Sequence, residues 1–157
     1  MTVSDAFGSD AFGSVKDGKS AGARSASSGY SGYLAIDPDH TPGVIRVRGV
    51  GMWTPQQAQV YFAEMARLTQ PIRALKVPVR VLIDLREAPV QSAATAEAMA
   101  NGATNYDPQR DRVAFICLSK LFGMQLKRSI PLVISAFFED EAEALAWVLS
   151  DERDEAN

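Results

Sequence analysis

The pattern of hydrophobic and polar positions changes near residue 33 of the chain. The first 32 residues are dominated by Ser, Gly, Ala and Asp, and their apolar positions follow no regular period. From Tyr33 onwards, short runs of β-branched and other apolar residues alternate with longer stretches in which apolar residues recur every three or four positions. The short runs predict strands, and the longer stretches predict amphipathic helices. The region after residue 32 therefore has the pattern of an α/β domain.

The order of the predicted elements indicates how they form a sheet. The predicted strands span residues 33–37, 44–50, 79–85, 112–118 and 132–137, and the predicted helices span residues 54–71, 92–106, 119–129 and 139–150. The resulting order is β-β-α-β-α-β-α-β-α, in which an opening hairpin precedes strands that alternate with helices. This order predicts a mixed sheet of about five strands with about four helices, whose parallel strands are joined by right-handed crossovers.

The first helix has the clearest sequence signals. Thr54 can cap its N-terminus, Pro55 suits the first helical position, and Gln57 completes a capping box. A second proline, Pro71, predicts where this helix ends. Helical spacing assigns the core-facing positions of the first helix to Ala58, Phe62, Met65 and Leu68 or Thr69, and those of the last helix to Ala142, Leu145, Ala146 and Leu149.

Composition divides the chain into three parts. The 157 residues are 46% hydrophobic and 22% charged, which suits one well-packed core. Residues 1–32 cannot bury enough apolar surface to offset chain entropy, so we expect a flexible leader, residues 33–150 form the domain, and residues 151–157 form an acidic tail. Two copies of Ser-Asp-Ala-Phe-Gly place Phe7 and Phe12 in the leader, where they form either a docking motif or part of a plain tail.

Charge and residue counts exclude several classes of function. The net charge is −3 and much of it lies in the acidic tail, so the domain has no general attraction for nucleic acid or anionic membrane. One cysteine and one histidine exclude an intramolecular disulfide and multi-cysteine or histidine-rich metal sites. No secretory signal is present, and no apolar run approaches the roughly 20 residues of a membrane span. We therefore expect a cytoplasmic protein without metal or cofactor.

Three stretches resemble the family of anti-sigma-factor antagonists, the STAS fold, and within it the SpoIIAA-like branch that is also called STAS/SEC14-like. Gly51-Met-Trp-Thr-Pro-Gln-Gln57 resembles the family's first strand-to-helix junction. Val81-Leu-Ile-Asp-Leu-Arg86 resembles its central strand, with an acidic residue near the end, and the stretch from Phe137 to Leu149 resembles its closing strand and helix. The resemblance covers Tyr33 to Leu149, and its specificity comes from the order and spacing of the three motifs.

The resemblance implies a regulatory or partner-binding role. Some members of that family are proposed to hold small apolar or lipid-like ligands, so the resemblance also implies ligand binding as an alternative role. In phosphorylation-switched antagonists, a Ser or Thr of an Asp-Ser-Ser-Gly type motif begins the helix after the central strand. Ser92 lies at the corresponding place here, with Thr95 one turn later, but the surrounding motif is absent. Both residues are phosphoacceptor candidates, because a helix N-terminus favours phosphate. The alternative is that Ser92 is an ordinary N-cap.

Other residues are candidates for a ligand or partner surface. Asp84 lies near the end of the central strand, where open α/β sheets place functional groups, and Arg86 and Glu87 follow it, either to pair with each other or to bind a ligand. The third helix combines apolar and basic residues, which suits an anionic partner, although the apolar ones can equally face the core. Trp53 is a candidate for lining an apolar pocket or simply for packing. The third-helix candidates are Lys120, Phe122, Met124 and Lys127.

These observations support one leading function and two alternatives. A complete domain without an assembled catalytic group favours a non-catalytic regulatory or protein-interaction module, with a protein partner and a possible homodimer. The first alternative is a carrier of a small apolar or lipid-like ligand, with its pocket near Trp53. The second, weaker alternative is an enzyme that uses Asp84 with Arg86; a carboxylate needs a second acid, base or metal for such work, and the sequence does not identify one.

Overall fold

A computed structural model describes residues 32–37, 43–130 and 134–150 of the chain. The predicted leader with Phe7 and Phe12 and the predicted acidic tail lie outside the described residues, apart from Gly32. The division into leader, domain and tail therefore stays a prediction.

The described residues form strands and helices in the predicted order. The strands are β1 (Tyr33–Asp37), β2 (Ile45–Val50), β3 (Arg80–Glu87), β4 (Arg112–Ile116) and β5 (Ser135–Phe138). The α-helices are α1 (Pro55–Ala74), α2 (Ala93–Gly102), α3 (Lys120–Ser129) and α4 (Glu141–Leu149), and a short 3-10 helix, Ala103–Asn105, extends α2. Each α-helix begins after a polar cap, and the predicted capping box of Thr54 and Gln57 is present at α1.

The strands form one mixed sheet in the order β1-β2-β3-β4-β5. β1 pairs antiparallel with β2, and the three following pairs are parallel. The strand order therefore follows the chain order, as an opening hairpin followed by successive crossovers produces. The predicted α/β fold class and its mixed sheet are confirmed.

The two faces of the sheet are covered unequally. Alternate residues of β3 point to opposite faces, so that Val81 and Ile83 join a large core formed with α1, α2 and α3. Leu82 instead joins a smaller core with Ala144 and Val148 of α4. Because α4 packs mainly on β3, β4 and β5, it leaves the corresponding face of β1 and β2 more open to solvent.

The first helix is longer than its proline predicts. α1 continues through Pro71 to Ala74, and the amide of Leu75 still donates to the Pro71 carbonyl at 3.3 Å. Pro71 lies in the last turn of the helix, where its missing N–H removes one hydrogen bond without disturbing a long following segment. The buried positions of α1 are Ala58, Tyr61, Met65 and Thr69, so Tyr61 takes the place that was predicted for Phe62.

The predicted core-facing side of the last helix is wrong. The buried residues of α4 are Ala144 and Val148, whereas Ala142, Ala146 and Leu149 are exposed and Leu145 is only half-buried. Asp140 caps the helix and accepts a hydrogen bond from the amide of Glu143 at 3.0 Å. The segment after Glu143 is almost entirely apolar, so helical spacing alone could not distinguish one face from the other.

None of the described helices is both long and apolar enough to cross a bilayer.

Candidate functional site

The loops that follow β2 and β3 meet at the carboxyl edge of the sheet, where the side chain of Gln91 holds them together. Gln91 is buried, and its Oε1 accepts a hydrogen bond from the Trp53 amide at 2.8 Å. Its Nε2 donates to the carbonyls of Gly51, at 3.1 Å, and Pro89, at 2.7 Å. One buried amide side chain thus satisfies backbone groups of both loops, which fixes their relative position.

The same loop is attached to α3 by a second glutamine. Gln125 Oε1 accepts from the amide of Gln91 at 2.9 Å, and Gln125 Nε2 donates to the carbonyl of Gln91 at 2.9 Å. The two bonds reproduce the pairing of a β-bridge with a side chain, so the loop cannot move away from α3 without breaking both. Neither glutamine was predicted to have a role, because glutamine is ordinarily a surface residue and no spacing in the sequence signals the exception.

Ser92 follows this anchored loop and caps α2. Its Oγ accepts a hydrogen bond from the amide of Thr95 at 3.1 Å and donates to Thr95 Oγ1 at 3.1 Å. Thr95 Oγ1 in turn donates to the Trp53 carbonyl at 2.7 Å, and Thr95 is fully buried. Of the two phosphoacceptor candidates, Thr95 is therefore enclosed, whereas Ser92 is half-buried at the edge. Its phosphorylation stays a prediction.

The capping role of Ser92 predicts a defined loss of stability. Replacing Ser92 with alanine should lower the free energy of unfolding by about 1 kcal/mol, because the N–H of Thr95 loses its side-chain acceptor. Ser92→Asp restores an acceptor at the cap and should remain within about 0.5 kcal/mol of the wild type. Urea unfolding followed by circular dichroism measures both values, and equal stability of the alanine variant and the wild type would contradict the capping role.

Trp53 and Phe122 lie in the core and not on the protein surface. Trp53 is 1% exposed and Phe122 is 0% exposed, and their rings meet edge-on with centroids 5.9 Å apart. The indole N–H also donates to the Val50 carbonyl at 3.1 Å. Phe122 shares the inner side of α3 with Leu126, one turn later, so it cannot contribute directly to a partner surface.

The outer side of α3 presents the other candidates of that helix to solvent. Leu121 is 68% exposed and Met124 is 52% exposed, and Lys120 and Lys127 are exposed beside them. Leu121 lies one helical turn before Gln125, on the side of α3 that meets the loop after β3. We define the α3 patch as four exposed apolar side chains: Leu121 and Met124 of α3, Leu118 just before the N-cap Ser119, and Val90 of that loop.

Asp84 and Arg86 lie on the opposite face of the sheet from the α3 patch. Arg86 donates to both oxygens of Asp84, at 2.9 and 2.7 Å, and also to Glu141 at 3.2 Å. Glu141 accepts from Arg46 of β2 at 2.7 Å, so the network connects two strands to the start of α4. Arg86 and Glu87 do not pair with each other, and Glu87 bonds Arg48 of β2 instead, at 2.6 Å.

The pairing of Asp84 determines its chemistry. Hydrogen bonds from Arg86 hold the pKa of the Asp84 carboxyl below its ordinary value, against the opposing effect of partial burial. The pKa of Arg86 is raised, mainly by the same hydrogen bonds. A carboxylate with a lowered pKa and both oxygens engaged is a weak base, so this pair suits a structural ion pair better than proton transfer.

The carrier alternative requires space near Trp53, and little is found there. An apolar cavity of about 30 Å³ lies between the sheet and the helices, with Trp53, Tyr61 and Met99 in its wall. Such a volume holds roughly one or two water molecules, whereas pockets for drug-sized ligands measure about 300–1,000 Å³. A groove of about 300 Å³ lies at the surface between α1 and α2, but Trp53 does not line it. The expected pocket near Trp53 is therefore too small for a lipid-like molecule.

Comparison with known proteins places the fold. No family model matches the chain, and no curated protein matches it in sequence. The chain is similar to a solved structure of an uncharacterised protein of the DUF3478 family from Shewanella loihica, which is described as having a SpoIIAA-like fold. The TM-score is 0.57 and the sequence identity is 21%, and the match covers 77% of this chain and 98% of that chain. An anti-sigma factor antagonist from Mycobacterium paratuberculosis is similar with a TM-score of 0.50 and 16% identity, over 76% and 96% of the two chains. The chain therefore has the SpoIIAA-like fold that its motifs predicted.

Proposed function

We propose that this protein is a non-catalytic regulatory module of the cytoplasm that binds a protein partner through the α3 patch. The observation that carries this proposal is the exposure of Leu121 and Met124, 68% and 52%, on a helix whose opposite side is anchored in the core. Single exposed apolar residues are ordinary, but several on one surface next to rigid backbone are typical of binding sites.

The arrangement of the α3 patch and of the loop beside it supports the proposal. Leu121 and Met124 are three residues apart on α3, so their side chains are neighbours on one side of the helix, and Leu118 lies just before its N-cap. The bonds between Gln125 and Gln91 hold the neighbouring loop, with Val90, against that helix. A surface that is ordered before binding loses little conformational entropy when a partner arrives. The Mycobacterium structure of the same fold is that of an anti-sigma factor antagonist, a name that implies action on another protein.

The proposal predicts that polar substitutions in the α3 patch remove partner binding. The full chain, tagged and cross-linked in its own cells, should capture at least one protein. The variant Leu121→Asp/Met124→Asp should capture about tenfold less of that protein or none, because two apolar anchors become charged. Quantitative mass spectrometry of the captured proteins measures the ratio. The matched control is Val60→Asp, an equally drastic change at a residue of α1 that is 62% exposed, and it should bind like the wild type.

Two outcomes contradict the proposed function. The first is a captured protein whose yield is the same for the wild type and for the double variant, since its binding surface would then lie elsewhere. The second is the absence of any captured protein together with turnover of a metabolite that Asp84→Ala abolishes, which would favour the enzyme alternative. Thermal unfolding of each variant establishes that a loss of binding is not a loss of folding, because all three substituted side chains are exposed.

A further inference from the structure

The basic side chains of α3 differ from most other cations of the described residues in forming no ion pair and no hydrogen bond. Eight of the nine arginines in residues 32–37, 43–130 and 134–150 donate to a carboxylate or a backbone carbonyl of the same chain. The ninth is Arg128, at the end of α3. Lys120 and Lys127 of the same helix likewise form no ion pair within the described residues, and the Lys127 Nζ lies over the ring of Phe137, 5.2 Å from its centroid.

In no other α-helix are all the charged residues basic. α1 carries Glu64 and Arg67, which pair with each other, and Arg73, which pairs with Asp111. The charged residue of α2 is Glu97, and those of α4 are Glu141 and Glu143. α3 alone among the four carries three basic residues and no acidic one. Part of this pattern is explained by the helix dipole, since Lys127 and Arg128 lie in the last turn, but Lys120 stands at the first position, where a cation is unfavourable.

From this charge pattern we infer that the partner segment which covers the α3 patch is an acidic peptide segment with apolar anchors. The inference rests on the proposed function and adds the chemistry of the partner to it. The apolar anchors would contact Leu121 and Met124, and the carboxylates would meet Lys120, Lys127 and Arg128 at the rim. Such rim charges accelerate association and select the partner, while the apolar contacts supply most of the affinity.

An anionic membrane or a nucleic acid would also attract cations, but the rest of the molecule disfavours both. The net charge of the chain is −3, so a large anionic surface would be repelled as a whole. The Asp84, Glu87 and Glu141 carboxylates also lie at this end of the sheet, on its other face. A short acidic segment can contact three cations on one helix without approaching those carboxylates, and this favours a peptide.

The inference is tested by selecting peptides from an unbiased random library against the full-length protein, with removal of peptides that also bind Leu121→Asp/Met124→Asp. The recovered peptides should be enriched in Asp and Glu next to apolar residues. Their affinity should fall about tenfold in Lys120→Glu/Lys127→Glu/Arg128→Glu, because three rim pairs are reversed, and it should also fall with rising salt. The matched control is Lys76→Glu, a reversal at an exposed lysine of the turn after α1, which should leave the affinity unchanged.

The outcomes separate this inference from the proposed function. The inference would be overturned if the patch-dependent peptides carried no excess of acidic residues, or if they bound the triple variant and the wild type with the same affinity. The proposed function would still stand in either case. A failure to recover any patch-dependent peptide would overturn both. Binding of the wild type to phosphatidylserine vesicles, lost in the triple variant and without recovery of acidic peptides, would assign the cations to a membrane and overturn the inference.

Discussion

Replacing Asp111 with alanine is expected to lower the free energy of unfolding by about 3 kcal/mol. Asp111 is fully buried at the start of β4, and its carboxylate accepts hydrogen bonds from the Val79 amide at 3.1 Å and the Asp107 amide at 2.7 Å. It also accepts two bonds from Arg73, at 2.8 and 3.3 Å. Removal of the carboxylate leaves the Val79 N–H without its acceptor and the Arg73 cation without its counter-ion.

Urea unfolding of the variant measures this loss, and two controls identify its origin. Arg73→Gln should cost less than Asp111→Ala, because the Asp111 carboxylate keeps its hydrogen bonds from the Val79 and Asp107 amides when Arg73 is replaced. Asp107→Ala should cost less still, because the Asp107 carboxylate bonds the Gln109 amide in an exposed turn. A loss below about 1 kcal/mol for Asp111→Ala would show that the buried carboxylate is not a main support of the junction between α1, β3 and β4.

The predictable part of this fold was the order of its elements, because that order depends on patterns within short windows. The capping box at Thr54 and Gln57 is a local signal and appears where it was predicted. The face of α4 was not predictable, since Ala144 and Val148 are buried through contact with Leu82 and Ala114 of distant strands. Apolar residues surround those two positions in the sequence, so only the tertiary contact determines which of them face inward.

The candidate site was predictable only in part, for a related reason. The sequence predicts α3 as a helix that combines apolar and basic residues, but it does not show which of the apolar residues face the core. It could not identify Gln91 or Gln125, because each acts through a partner that is 34 residues away in sequence. Asp111 lies between the predicted second helix and the predicted fourth strand, and nothing in the sequence marks it as the acceptor for three separate segments. Polar residues with buried, long-range partners leave no periodic signal in the chain.

The clearest separation of core from surface on α3 is expected from two adjacent alanine substitutions. Phe122→Ala should lower the free energy of unfolding by about 3–5 kcal/mol, because the ring is fully buried against Trp53 and its removal leaves a cavity. Leu121→Ala should change it by less than about 0.5 kcal/mol, because that side chain is 68% exposed. Urea unfolding followed by tryptophan fluorescence measures both free energies under the same conditions.

Partner binding should order the same two variants in the opposite way. Leu121→Ala, although stable, should weaken binding because it removes an exposed anchor of the α3 patch. Phe122→Ala, measured at a temperature where most of the variant remains folded, should retain binding, since the ring is 0% exposed and cannot contact the partner. If Leu121→Ala is stable and binds the partner fully, Leu121 is not part of the partner-binding surface. If Phe122→Ala is as stable as the wild type, the position of the Phe122 ring in the core is contradicted. Adjacent residues on one helix thus distinguish what holds the domain together from what the domain presents to a partner.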